Sequence, residues 1–305
     1  MLLDQEPGRI DSIERMGINA LLKVFERYKS LGPDGLEELS KNEFGDTCLM
    51  MDFAAEEEVL SLLKTSNLGL TVISEEHGKV SLGENPMILA TLDGIDGTAV
   101  YKKDWLNGRC GTMLAIAGNL DPTYNDVIFS GVLTLPHGDI YFVNEKGSFR
   151  IDGRTKIITK LKTSGRKTLN RDTFIYVDEG MEGNLDLFTR KLAPHHTNNA
   201  ISSAIHWVDL AEGKADVVCE VTRKMNLELL CGYKLVTMAG GAVIALDSGE
   251  VIGDKKYLKF GQSPNEHLGF IAAATPELAQ NTLNYLKNMI EHGSSWRKIG
   301  PGRQQ

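Results

Sequence analysis

The sequence predicts a mixed α/β fold of the α+β kind, and three observations predict it. Stretches of helical period lie at residues 10–31 and 276–293, each with apolar side chains recurring every three to four positions. Between 111 and about 160, short apolar runs alternate with turns in the manner of an antiparallel sheet. From about 170 onward, runs of strand length and helix length take turns. With 305 residues the chain can form one large or two modest domains around a buried core.

IDSIERMGINALLKVFERYKSL (10–31) is a helix that stops at Gly32-Pro33. A polar stretch follows, and then MDFAAEEEVLSLLKTSN, where Asp52 can cap a helix running to about Ser66. LTVIS (70–74) and MILATL (87–92) have strand length, and each is followed at once by acids, SEEHG and DGIDGT. GTMLAIAG, DVIFSGVLTL, GDIYFV and GSFRIDG supply the antiparallel run. TFIYVDEG is a strand, 199–212 a helix and ADVVCEV a strand. LELLCGYKLVTMAGG is a helix with a Gly-Gly stop, VIALDSG and GFIAAAT are strands, and PELAQNTLNYLKNMIEHG is a helix with Pro276 near its start. No repeat, low-complexity tract or linker interrupts this order. The change of pattern near 165 suggests two halves, 1–165 and 166–305, that share an interface.

A net charge of −8 argues against a nucleic-acid or anionic-membrane partner. Cys48, Cys110, Cys219 and Cys231 have neither CxxC nor zinc spacing, which fits buried thiols in a reducing compartment. MLLDQEPGRIDSIERMG has acids where a signal peptide has a basic region, and no apolar run approaches the ~20 residues of a membrane span. The expectation is a cytoplasmic protein.

Acidic residues gather at element ends: Asp46 to Asp52, Glu75-Glu76, Asp93 with Asp96, and Glu228. Such carboxylates are expensive to desolvate without a counter-charge, and oxygen-only ligands suit Mg²⁺ or Mn²⁺ better than zinc. Glu56, Glu57 and Glu58 read as a solvated helix face. The DGIDGT turn divides its labour: Asp93 and Asp96 repel unless a cation lies between them, while Gly97 and Thr98 present backbone amides to an anion.

Taken in order, these segments resemble the lithium-sensitive, magnesium-dependent phosphatases of inositol monophosphatase type, a superfamily that includes fructose-1,6-bisphosphatases and bisphosphate nucleotidases. GDTCLMMDFAAEEE is similar to an early D-x-x-x-x-x-D-x-x-x-E segment, with Asp46, Asp52 and Glu56 in register. ISEEHG resembles the family's Glu-Glu pair, and LDGIDGT resembles D-P-[IL]-D-G-[ST] with Gly94 where proline is usual. AEGKADVVCE and LELLCGYKLVTMAGG match in spacing the segments that precede a substrate-contacting acid and carry the last metal ligand.

The resemblance implies a layered αβαβα sandwich, commonly a homodimer, that binds two or three Mg²⁺ ions, with Mn²⁺ as an alternative. It implies that Glu75, Asp93 and the carbonyl of Ile95 hold a first cation, and that Asp93, Asp96 and Glu228 hold a second. Two cations ~4 Å apart can clamp the attacking and leaving oxygens of an in-line displacement. Thr98 paired with Asp52 would orient the attacking water, so Thr98, Asp52 and Glu75 are the catalytic candidates. Gly97 and Thr98 amides would hold phosphate, and Glu220 would contact substrate hydroxyls.

The chain departs from the pattern in places. Glu228 stands where aspartate is normal, with Leu227 in place of tryptophan, and Asn226 is an out-of-register alternative. Ile201-Ser202 replaces a small-residue pair. His195-His196 reads as a solvated loop, Lys102 and Lys103 as solvated lysines or as contacts to a second phosphate, and Trp105, Trp207 and Cys231 as packing residues. The implied function is hydrolysis of a small soluble phosphate, an inositol monophosphate or sugar phosphate, by metal-activated water. A bisphosphate phosphatase acting on fructose-1,6-bisphosphate or a 3'-phosphoadenosine nucleotide is the alternative. A catalytically weak member with a binding or regulatory role is the alternative of another class.

Overall fold

Helix α1 (Ser12–Leu31) forms where the apolar period is 3.6, and it buries Ile18, Leu21, Val24 and Tyr28 on one face. That face and helix α2 (Met50–Thr65) lie on one side of an eight-stranded sheet, around Leu92, Leu114, Ile116 and Phe129. The computed structural model describes residues 12–42, 47–66, 68–177, 192, 196–199, 202–221, 227–257 and 269–291. Asp46, His195, Ile201 and Asn226 lie outside them.

A two-stranded ribbon, β1 (Glu38–Lys41) and β2 (Thr47–Leu49), leads into α2. The large sheet comprises β3 (Leu70–Ser74), β4 (Gly78–Leu82), β5 (Ile88–Asp96), β6 (Cys110–Ala117), β7 (Val127–Leu135), β8 (Asp139–Asn144), β9 (Gly147–Ile151) and β10 (Ile158–Lys160). Their order is β10-β9-β8-β7-β6-β5-β3-β4, antiparallel throughout except where β3 runs parallel to β5. The short helix α3 (Thr98–Lys103) follows β5.

The second sheet follows β11 (Phe174–Val177), β12 (His196–Asn199), β13 (Val217–Val221), β14 (Ala242–Ala245) and β15 (Gly269–Ala273), in the order β12-β11-β13-β15-β14. Between the sheets lie α4 (Ser203–Ala211) and α5 (Leu227–Met238), and α6 (Pro276–Glu291) covers the outer face of the second sheet. The described residues therefore stack as α, β, α, β, α. The change from one sheet to the other falls between 160 and 174.

The middle layer is set by close packing. A Cβ on Gly232 would lie 2.0 Å from the Trp207 indole, so glycine lets α5 cross α4 against that fully buried ring. Hydroxyls of the large sheet then hold α5 by its carbonyls: Thr91 Oγ1 to Leu227 O at 3.3 Å, Ser130 Oγ to Cys231 O at 2.7 Å and Ser148 Oγ to Leu235 O at 2.6 Å. The four cysteines are buried free thiols, and Trp105 packs edge-on against Tyr28.

Several expectations change. β5 continues through Asp96, so DGID is the end of a strand and not a turn. Asp52 is the third residue of α2: its Oδ2 accepts the Leu49 amide at 2.9 Å, reaching back to the cap. Glu56 is no solvated face; it is fully buried, because α2 lies against both β5 and the turn after β3. β1, β2 and β4 were missed, since strands of three to five residues are too short for an apolar period to register. His196 opens strand β12, where HTNN offers no apolar signal at all. No helix among the described residues is long and apolar enough to cross a membrane.

Candidate active site

β3 ends beside β5, with Ser74 opposite Leu92 and the Glu75 amide donating to Leu92 O at 3.2 Å. Glu75 and Asp93 are therefore the first residues beyond matching positions on neighbouring parallel strands. In a regular strand residues three apart face opposite sides. Here β5 pairs Asp93 with Met113 and Asp96 with Gly111, so three steps on β5 oppose two on β6. That one-residue bulge returns both aspartates to the same side. Thr112 Oγ1 stabilises it by donating to Gly94 O at 2.6 Å.

Glu228, in the first turn of α5, completes the group. Asp93, Asp96 and Glu228 each offer a carboxylate oxygen, and these atoms lie within 4.8 Å of one another. Asp96 is further fixed by α4: its Oδ2 accepts the Ala204 amide at 2.7 Å and the Ser202 hydroxyl. Sequence reading did not foresee this contact, because it joins residues 106 and 108 positions apart; a serine starting a helix was the available signal. Glu75 is buried at the adjacent strand end but is not a member of the three-acid group, and Asn42 Nδ2 reaches its Oε1 at 3.5 Å.

Past Asp96 the chain must turn sharply into α3, and Gly97 does so with φ at 90°, a conformation that favours glycine. Its hydrogen side faces α4, where a Cβ would meet Ser202 Cβ at 2.7 Å. Thr98 Oγ1 lies 3.2 Å from Asp52 Oδ1 and 3.0 Å from Ile95 O, so the expected Thr98–Asp52 pair is formed. Burial pushes the Asp52 carboxyl well above the usual carboxylate range; the Leu49 amide opposes this, and the charges of Glu76 and Glu75 add to it. Burial likewise raises Glu76.

Glu220, on β13, is buried and accepts the Ser203 hydroxyl at 3.1 Å, on the same helix start that holds Asp96. Lys102 pairs with Glu38 on the exposed surface.

All the donors in the three-acid group are carboxylate oxygens, with neither thiolate nor imidazole among them. Three negative charges this close in a largely buried position suit a hard divalent cation.

The sequence profile of the inositol monophosphatase family matches residues 11–290. The chain belongs to the inositol monophosphatase family. Members of this family are metal-dependent phosphatases that act on small phosphorylated substrates. The fructose-1,6-bisphosphatase/inositol-1-monophosphatase of Archaeoglobus fulgidus is 25% identical over 260 residues, covering 83% of this chain and 86% of its own. That of Methanothermobacter thermautotrophicus is 24% identical over 229 residues, covering 72% and 79%. Among solved structures, the extragenic suppressor protein suhB of Bartonella henselae superposes with a TM-score of 0.73 at 14% identity, covering 91% of this chain and 99% of that one. The fructose-1,6-bisphosphatase of Leishmania major does so with 0.66 at 12% identity, covering 91% and 93%. At such identities these likenesses show the fold, the layered sandwich of the inositol monophosphatase family.

Proposed function

We propose that this inositol monophosphatase family member is a magnesium-dependent phosphomonoesterase acting on a small soluble phosphate, an inositol monophosphate or a sugar phosphate. The observation that carries the reading is the meeting of Asp93, Asp96 and Glu228 within 4.8 Å, beside the Thr98–Asp52 pair. Asp93, Asp96 and Glu228 would hold one divalent cation, and Glu75, Asp93 and the Ile95 carbonyl another. Bound there, the cations supply positive charge to the phosphoryl oxygens and acidify water.

The chain's own residues do the remaining work. Thr98 Oγ1 orients the water, and Asp52 Oδ1, which accepts the threonine hydroxyl at 3.2 Å, is the atom that receives the water's proton through it. The amides of Gly97 and Thr98, at the start of α3 where no helical acceptor exists for them, hold phosphate oxygens. Glu220 and Ser203 read substrate hydroxyls from β13 and the start of α4.

The relatives named for both fructose-1,6-bisphosphate and inositol-1-phosphate hydrolysis keep a bisphosphate in view as a second substrate class. Phosphate release is measured across inositol, sugar and nucleotide phosphates with Mg²⁺ and with a chelator. Chelator-sensitive release from the inositol or sugar monophosphates is the expected result. Preferential release from a bisphosphate would favour the second class, and no release from folded protein would favour a binding role.

A further inference from the structure

Glu56 stands one turn beyond Asp52 on α2, and it is 0% exposed. A carboxylate removed this far from water is sustained only by donors. Among the described residues, the hydrogen bonds it accepts come from one segment, residues 74–77. Ser74 Oγ and His77 Nδ1, the latter at 2.7 Å, reach Oε2. The Glu75 amide lies 3.1 Å from Oε1, and the Glu76 amide lies 3.3 Å from Oε1 and 3.1 Å from Oε2. Phe53 and Glu57, also on α2, hold the His77 ring as well, Phe53 by a tilted ring contact with centroids 4.5 Å apart and Glu57 by a 3.0 Å contact to Nε2.

Helix α2 can approach because Gly94 has no side chain. A Cβ there would lie 2.4 Å from Asp52 O and 3.0 Å from Glu56 Cγ. One helix face therefore carries two buried carboxylates four residues apart, each holding a different piece of the site. Asp52 holds Thr98; Glu56 holds the turn that carries Glu75.

Closing a turn of four residues needs no buried charge, and sheet bonds already fix β3 up to Ser74. What Glu56 adds is control of the backbone immediately at Glu75. We infer that Glu56 is a positioning residue for Glu75: it touches neither substrate nor cation, and it aims the Glu75 carboxylate at the cation site beside Asp93. The inference rests on the reading in which Glu75 is a cation ligand.

Mn²⁺ alone, titrated into the protein and followed by the electron paramagnetic resonance of the free ion, tests this in Glu56→Ala, Glu56→Gln and Glu75→Gln. Loss of an outer partner of a metal ligand typically weakens binding about 10–100-fold, and Glu56→Ala is expected to do so. Glutamine keeps an oxygen for the Glu75 and Glu76 amides, while its NH₂ can donate to the Ser74 hydroxyl and to Nδ1 of a neutral His77. Glu56→Gln is therefore expected to stay within about threefold of the wild type, a rescue that a purely charge-based effect would not show.

Glu75→Gln should weaken binding as well. Wild-type affinity in folded Glu56→Ala, or equal weakening in Glu56→Gln, overturns the positioning role while Glu75→Gln still weakens binding. Wild-type affinity in Glu75→Gln removes the ligand reading on which it rests. If Glu56→Ala does not fold, Ser74→Ala combined with His77→Ala removes two of the donors and leaves α2 intact. That variant should weaken Mn²⁺ binding too, and wild-type affinity in it overturns the inference.

Discussion

The Thr98 hydroxyl sits 3.2 Å from Asp52 Oδ1, although 46 residues separate the two in the chain. Neither atom belongs to the group formed by Asp93, Asp96 and Glu228. Thr98→Ala is therefore expected to lower kcat by about 100-fold or more, as for loss of a positioned proton-transfer group, with cation affinity kept. Steady-state rates and a calorimetric Mg²⁺ titration check this. A parallel loss of Mg²⁺ affinity would give Thr98 a different role.

Glu228 reaches the two aspartates with its longer side chain, from the first turn of a helix held by Trp207 and by three sheet hydroxyls. A helix so fixed cannot slide to suit a shorter residue. Glu228→Asp should weaken cation binding by about tenfold, and Asp93→Asn should abolish turnover. Tighter Mg²⁺ binding by Glu228→Asp in calorimetry would show that glutamate is a misfit there.

Gly94 has no side chain, and α2 packs close against it, with the Asp52 carbonyl and Glu56 Cγ in the space a Cβ would take. Adding a side chain with Gly94→Pro or Gly94→Ala forces the Asp52 carbonyl away from a contact of 2.4 Å. The expected cost is about 1–3 kcal/mol of stability, with a fall in kcat as Asp52 leaves Thr98. Thermal melts and rates measure the two effects together. A Gly94→Pro protein as stable and active as the wild type would mean that α2 moves freely.

His206 is fully buried on α4, its ring stacked on Tyr176 at 4.4 Å, and burial pulls its pKa from 6.5 to about 3. The unfolded chain thus binds a proton below about pH 6.5 that the folded chain refuses until about pH 3. The His206 contribution to stability therefore falls as pH drops through that window, by about 1.4 kcal/mol per pH unit once the unfolded imidazole is charged. His206→Phe keeps a ring against Tyr176 and removes this proton. Its loss of stability between about pH 7 and about pH 5.5 in urea melts should be about 1 kcal/mol smaller than that of the wild type. Equal losses would mean that His206 takes up its proton in the folded state.

Local signals located most of the candidate site. Asp93, Asp96, Gly97 and Thr98 could be found because a strand that ends in two acids and a glycine is unusual within a few residues. Glu228 followed from the resemblance of LELLCGYKLVTMAGG to a family segment, with Gly232 and Gly240-Gly241 in register. Glu56 was misread because a run of three glutamates on a helix looks the same whether solvent or a turn covers it. β4 and β12 escaped because they are short and carry few apolar residues.

By itself, the sequence determined the elements and the candidates for chemistry: period placed the helices, apolar runs placed the long strands, and carboxylates beside glycine marked a candidate cation and phosphate site. These are properties of near neighbours, and composition records them directly. Only the tertiary structure decided how those residues meet. The bulge that brings Asp93 and Asp96 to one side depends on the register with β6. Ser202 and Ala204 grip Asp96 from another layer of the sandwich. Glu56 becomes a buried hub because α2 passes over Gly94. Each of these rests on contacts between segments far apart in the chain, where no local spacing carries the information.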